Sequence, residues 1–193
     1  MKWSGLLLSL GLLTCSVLAA PHPGPSDGLD LYKLKIKSPS NAELEGRYLS
    51  LNGSDVGLFV GTEASAIKVY QTTSQRKGCN QLHTYPIGII DHALALVGPP
   101  EIMTLSDIAN PAKVVPDDGQ VMLWDTFKVS NSRLANDGPG GWLAFPGAKD
   151  SWKLKWTDVA LTQHYHAGNA ITSEDYMPVQ IMMEAAGQGH ANN

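Results

Sequence analysis

The most suggestive chemistry in this sequence sits late in the chain. His164-Tyr165-His166 places two imidazoles at i and i+2, with Glu174 and Asp175 a short distance on. On an extended segment such histidines point the same way, as two ligands of a metal would, and a carboxylate could complete the set. The pattern stops there: no HExxH spacing, third nearby histidine or cysteine partner accompanies it, so no metal or other cofactor is expected. Asp91-His92 lacks the Gly-x-Ser-x-Gly elbow that would expose a nucleophile, and reads as part of a turn. Asp117-Asp118 precedes Gly119, where aspartate favours turns through local hydrogen bonds. No phosphate-cradling glycine loop or dinucleotide fingerprint occurs. The expectation is therefore a protein that is not an enzyme.

Aromatic residues give a better lead toward binding. Trp142, Trp152 and Trp156 lie close together, followed by Tyr165 and Tyr176. In SWKLKW, Trp152, Leu154 and Trp156 share one face of a strand and Lys153 and Lys155 the other. That face reads as core, because aromatics dominate core burial. The functional alternative leaves a ring exposed as a platform for a sugar. The candidate binding residues are thus Trp142, Trp152, His164, Tyr165, His166 and Tyr176. The Gln-x-Trp motif of ricin-like sugar binders is absent. Asn52-Gly53-Ser54 is an N-glycosylation acceptor, making Asn52 a candidate modification site.

Several elements must position these residues. The opening MKWSGLLLSLGLLTCSVLAA has a basic residue, an apolar run and small residues before Pro21, the layout of a secretory signal peptide covering 1–19. No second hydrophobic stretch follows, so no membrane association is expected after its removal. Residues 20–28, rich in proline and glycine, read as a flexible leader. The formal charge is −4 with histidines neutral, and the densest basic group is only Arg76-Lys77. That balance offers no footprint for nucleic acid. Of the 2 cysteines, Cys15 leaves with the leader. The fold must then be held by its core, with Cys79 read as buried.

From Leu29 onward the apolar residues recur with period two. LYKLKIK, RYLSLN, VGLFVG and AIKVYQ form the first group of strand-sized runs, and Asn52-Gly53 is a hairpin signal. HTYPIGII, HALALVG, EIMTLSD and AKVV follow, then VMLWDTFKVS, GGWLAFPG, SWKLKW and PVQIMMEAA. Pro86 demotes its run to an edge or bulged strand. No helical periodicity is found.

Three of these runs share a pattern: YLSLNG at 48–53, ALALVG at 93–98 and WLAFPG at 142–147, roughly 45–50 residues apart. Ala66-Ile67-Lys68-Val69 is echoed by Ala112-Lys113-Val114. Three four-strand units in one all-β domain predict a β-trefoil, in which three repeats close a barrel capped by hairpins; a β-sandwich is the alternative. The domain is set at 29–187, with repeats at about 31–78, 79–120 and 121–187 and a disordered tail at 188–193. The third unit carries an insertion, and residues 162–176 of it read as a surface loop available for binding.

GWLAFPGAKDSWKLKW, taken with LYKLKIKSPS near the start, resembles small secreted fungal cell-wall proteins, the group that includes phialide cell-wall proteins and IgE-binding allergens. The resemblance implies a non-catalytic, secreted protein, extracellular or in the cell wall of a filamentous fungus. Its expected partner is a polysaccharide or an extracellular protein. Inhibition of a protease through the 162–176 loop is the alternative function.

Overall fold

The computed structural model describes residues 28–157, 165–166, 169–170 and 176–189. Among them the fold is all β, with two short 3-10 turns and no α-helix. The strands are β1 (Leu29–Lys37), β2 (Ser50–Asn52), β3 (Asp55–Leu58), β4 (Lys68–Thr73), β5 (Asn80–Tyr85), β6 (His92–Gly98), β7 (Met103–Ala109), β8 (Val121–Leu123), β9 (Phe127–Ser130), β10 (Arg133–Asn136), β11 (Gly141–Pro146), β12 (Trp152–Thr157), β13 (Tyr165–His166), β14 (Asn169–Ala170) and β15 (Met177–Gly189).

The antiparallel pairings β1–β4, β4–β5, β5–β9, β9–β10, β10–β15 and β15–β1 run through six strands and return to the first. Closure of this kind removes exposed sheet edges. Three hairpins, β2–β3, β6–β7 and β11–β12, join this ring, β8 adds to β6, and β13 and β14 pair in a separate two-stranded sheet. The second strands of the three hairpins pair with one another: Leu58 lies opposite Trp152, Asp55 opposite Ser106, and Trp156 opposite Met103. Between β3 and β12 the approach is close. A Cβ built on Gly57 would stand 2.4 Å from the Trp152 carbonyl oxygen.

Alternation along β1 sends Leu34 and Ile36 inward and Lys33 and Lys35 outward, where they meet Glu63 and Glu184. The inward residues join Leu49, Val69, Leu82, Leu94, Leu96, Leu105, Phe127, Leu134, Leu154 and Ile181 in one central cluster. This dry interior is the main source of stability in a domain whose one described cysteine, Cys79, is buried and unpaired.

The three repeated motifs fall in the first strand of each hairpin, or just before it, but they do not present the same face. Leu49 and Leu94 belong to the central cluster; Leu143 is buried outside it, and Trp142 and Ala144 take the inward positions of β11. A one-residue slip is enough, because side chains on a strand alternate with period two. The echo at 112–114 is not structural. Asn110 adopts a left-handed conformation (φ 49°), Pro111–Lys113 form a 3-10 turn, and Val114 and Val115 are exposed. HTYPIGII is only half a strand: β5 stops at Tyr85, and the Tyr85–Pro86 peptide is cis. VMLWDTFKVS divides into β8 and β9. At the C-terminus β15 continues to Gly189, pairing with Leu29, so Gln188 and Gly189 belong to the barrel and not to the tail.

Candidate binding cleft

The expected site residues are dispersed. Trp142 is 2% exposed; its indole N–H donates to the Leu134 carbonyl at 2.8 Å, and its ring meets Trp156 edge to face at 5.2 Å. Trp152 is 8% exposed, with its N–H directed to Glu43 Oε1 at 3.3 Å. Both rings serve the core and neither offers a free face to a sugar. His164 lies outside the described residues. Tyr165 and His166 form β13, paired with β14. Tyr176 is half-buried against Phe145, with ring centroids 5.8 Å apart. Asn52 is exposed at the end of β2, beside the Gly53-Ser54 turn where Gly53 takes φ 63°. The acceptor sequence is therefore accessible.

An apolar-walled cleft lies elsewhere. About 480 Å³ in volume, it is walled by Leu51, Tyr70, Thr84, Tyr85 and the segment from Pro86 to His92. Once β5 ends at Tyr85, the chain has left the barrel and cannot bury the isoleucines that follow. Ile89 is fully exposed, Ile90 is 50% exposed, and Leu51 across the cleft is 43% exposed. Large apolar side chains held together in water mark a contact surface more often than a lone exposed leucine does.

Two histidine–carboxylate pairs hold this segment at its far end. His83, buried on β5 and stacked on Tyr70 at 5.3 Å, has Nδ1 2.7 Å from Asp91 Oδ1. Its Nε2 lies 3.1 Å from Thr72 Oγ1 and 3.2 Å from Gln81 Oε1, so the ring is engaged on both sides. His92 Nδ1 lies 2.7 Å from Asp107 Oδ2, and Thr84 donates to the other oxygen of Asp107 at 2.8 Å. The Asp91 carbonyl also accepts from Asn110 N–H at 2.7 Å. Asp91–His83–Thr72 has the connectivity of a carboxylate–imidazole–hydroxyl relay. However, the Thr72 hydroxyl donates to Gln81 Oε1 at 3.1 Å, so its proton is not directed at the imidazole. A nucleophile–base pair needs that alignment. The arrangement tethers a loop; Asp91 is the residue before β6, and His92 opens that strand opposite Ala109 instead of lying in a turn as the sequence suggested.

A second cleft of about 380 Å³ shares Leu51, Tyr85 and Pro86 with the first and adds Ser65, Ala66, Ile67 and Lys68. A third, of about 240 Å³, shares Ser65 with the second and is walled by Arg47, Tyr48, Ser50, Phe59, Thr62 and Glu63. Among the described residues no cluster of three or more metal-ligating side chains occurs. No helix among them is long and apolar enough to cross a membrane.

The sequence reading missed the 85–92 surface, although a signal was present. An apolar run without alternation, broken by a proline and a glycine and ending in Asp-His, is a poor strand; its isoleucines have no inner face to occupy. No protein-family model, curated protein or solved structure matches the chain.

Proposed function

We propose that this chain is a secreted, non-catalytic β-trefoil that binds an extracellular protein through the surface formed by Leu51 and residues 85–90. The trefoil reading is supported by the ring of six paired strands and by three hairpins whose second strands meet one another. The resemblance of its sequence to fungal wall proteins supports a fungal cell surface as its setting. Accessibility of the Asn52 acceptor accords with passage through a secretory route and with glycosylation there.

The observation that carries the choice of partner is the set of aliphatic side chains, Ile89, Ile90 and Leu51, projecting around one cleft. Sugars favour aromatic planes on which a ring can stack, whereas branched aliphatics match the apolar side chains of another protein. Trp142, Trp152 and Trp156 are in the core and present no such plane to a sugar.

Ile89→Asp tests the reading. Ile89 has no packing to lose, so stability should change by no more than about 0.5 kcal/mol. Wild-type and variant proteins would be immobilised and exposed to extracellular protein extract, and run in parallel over insoluble chitin, β-glucan and mannan. Proteins captured by the wild type and lost with the variant are expected. Retention on a polysaccharide, or identical capture by both forms, would sink the proposal.

A further inference from the structure

The three clefts, taken in order, change in character. Asp91 and His92 stand at one end, Tyr85, Pro86, Leu51, Ala66 and Ile67 in the middle, and Arg47 at the other end; neighbouring clefts share wall residues throughout. Arg47 differs from the cations around it. Lys33 is paired with Glu63 at 2.6 Å and Lys35 with Glu184 at 3.0 Å. The half-buried Arg47 guanidinium has no carboxylate within salt-bridge distance among the described residues. Its contacts are two backbone carbonyls, Phe59 O at 3.5 Å and Asp150 O at 3.4 Å, both through Nη2. Nε and Nη1 of its donor fork find no protein acceptor among those residues. Such a fork matches a carboxylate in two-pronged fashion, a geometry that lysine cannot reproduce.

We infer that the partner contributes an extended segment whose apolar residues lie along Leu51, Ile67, Tyr85 and Ile89 and whose one end carries a carboxylate held by Arg47. The inference rests on the protein-binding reading above and names the chemistry of the segment. Charge complementarity sets its polarity. The carboxylate belongs at the Arg47 end, because the opposite end already holds the carboxylate of Asp91. Glu63, on the wall of the Arg47 cleft, opposes the ligand only weakly while Lys33 is bound to it. Lys68 in the middle cleft adds a second positive charge on the path.

The probe is a random peptide library displayed on phage, selected against the full secreted chain and against Arg47→Gln, Glu63→Gln and Ile89→Asp. The wild type is expected to enrich peptides with apolar residues next to Asp or Glu. Arg47→Gln should keep the apolar preference and lose the acidic one, and Glu63→Gln should sharpen the acidic one. With an enriched peptide in solution, changing its Asp to Asn should weaken binding about tenfold for the wild type and leave Arg47→Gln unaffected. Thermal melts identify any variant that has lost its fold, and Glu63→Gln still tests the inference should Arg47→Gln prove unstable. Apolar enrichment without an acidic preference, or an acidic preference that survives Arg47→Gln, overturns the inference and leaves the binding surface standing. Failure of the wild type to enrich any peptide overturns both.

Discussion

Replacing Trp142 by Phe separates a core role from a binding role. The indole N–H donates to a buried carbonyl, Leu134 O, at 2.8 Å. Phe cannot donate, so that carbonyl loses its side-chain partner in a dry environment, at about 1–3 kcal/mol. The smaller ring also leaves unfilled volume beside Trp156 and weakens an edge-to-face contact that contributes about 0.5–1.5 kcal/mol. Together the loss should be about 2–4 kcal/mol. At roughly 2–4 °C per kcal/mol for a domain of this size, the midpoint of thermal unfolding should fall by about 5–15 °C. The assay is urea unfolding followed by far-ultraviolet circular dichroism, since tryptophan emission itself changes with the substitution. Capture of partner proteins at a temperature where the variant is folded should be unchanged. A loss below about 1 kcal/mol, or undiminished stability with lost binding, would refute the placement of this ring in the core and restore it as a ligand platform.

Two further outcomes follow from the same structure. Gly57→Ala drives a methyl group into the Trp152 carbonyl across the β3–β12 pairing, and backbone is the atom that must move. Denaturant unfolding should show a loss on the order of 1–3 kcal/mol, and an unchanged midpoint would contradict that close approach. Cys79 is the pH-sensitive case: burial, followed by the charge of Asp137, pushes its thiol above the ordinary value. The folded chain keeps its proton where the unfolded chain begins to lose it, at about pH 8.5, so this group's contribution to stability falls as pH rises beyond that point. Alkylation by iodoacetamide should accordingly be much slower in the native protein than in urea. Equal rates would show that the thiol is accessible.

Local pattern made the all-β class legible. Period-two alternation in LYKLKIK and SWKLKW, with turn residues between the runs, requires strands with one dry face, and β1 and β12 place their leucines and tryptophans accordingly. The three motifs located the hairpins for the same reason, and Asn52-Gly53 marked a turn because glycine tolerates positive φ there. Which face each motif presents was a matter of register, and register is set by pairing with distant strands: Trp142 lies opposite both Trp156 and Val179. Only tertiary structure could decide that Trp142 turns inward while Leu143 leaves the central cluster. The cleft is likewise a product of assembly. Arg47 and Leu51 lie in one run, Tyr85 and Ile89 in another and Ile67 in a third, and no spacing links the three until the barrel closes. Composition supplied the apolar residues, but which of them stay in water depends on where the ring of strands leaves no room, and that is a property of the whole fold.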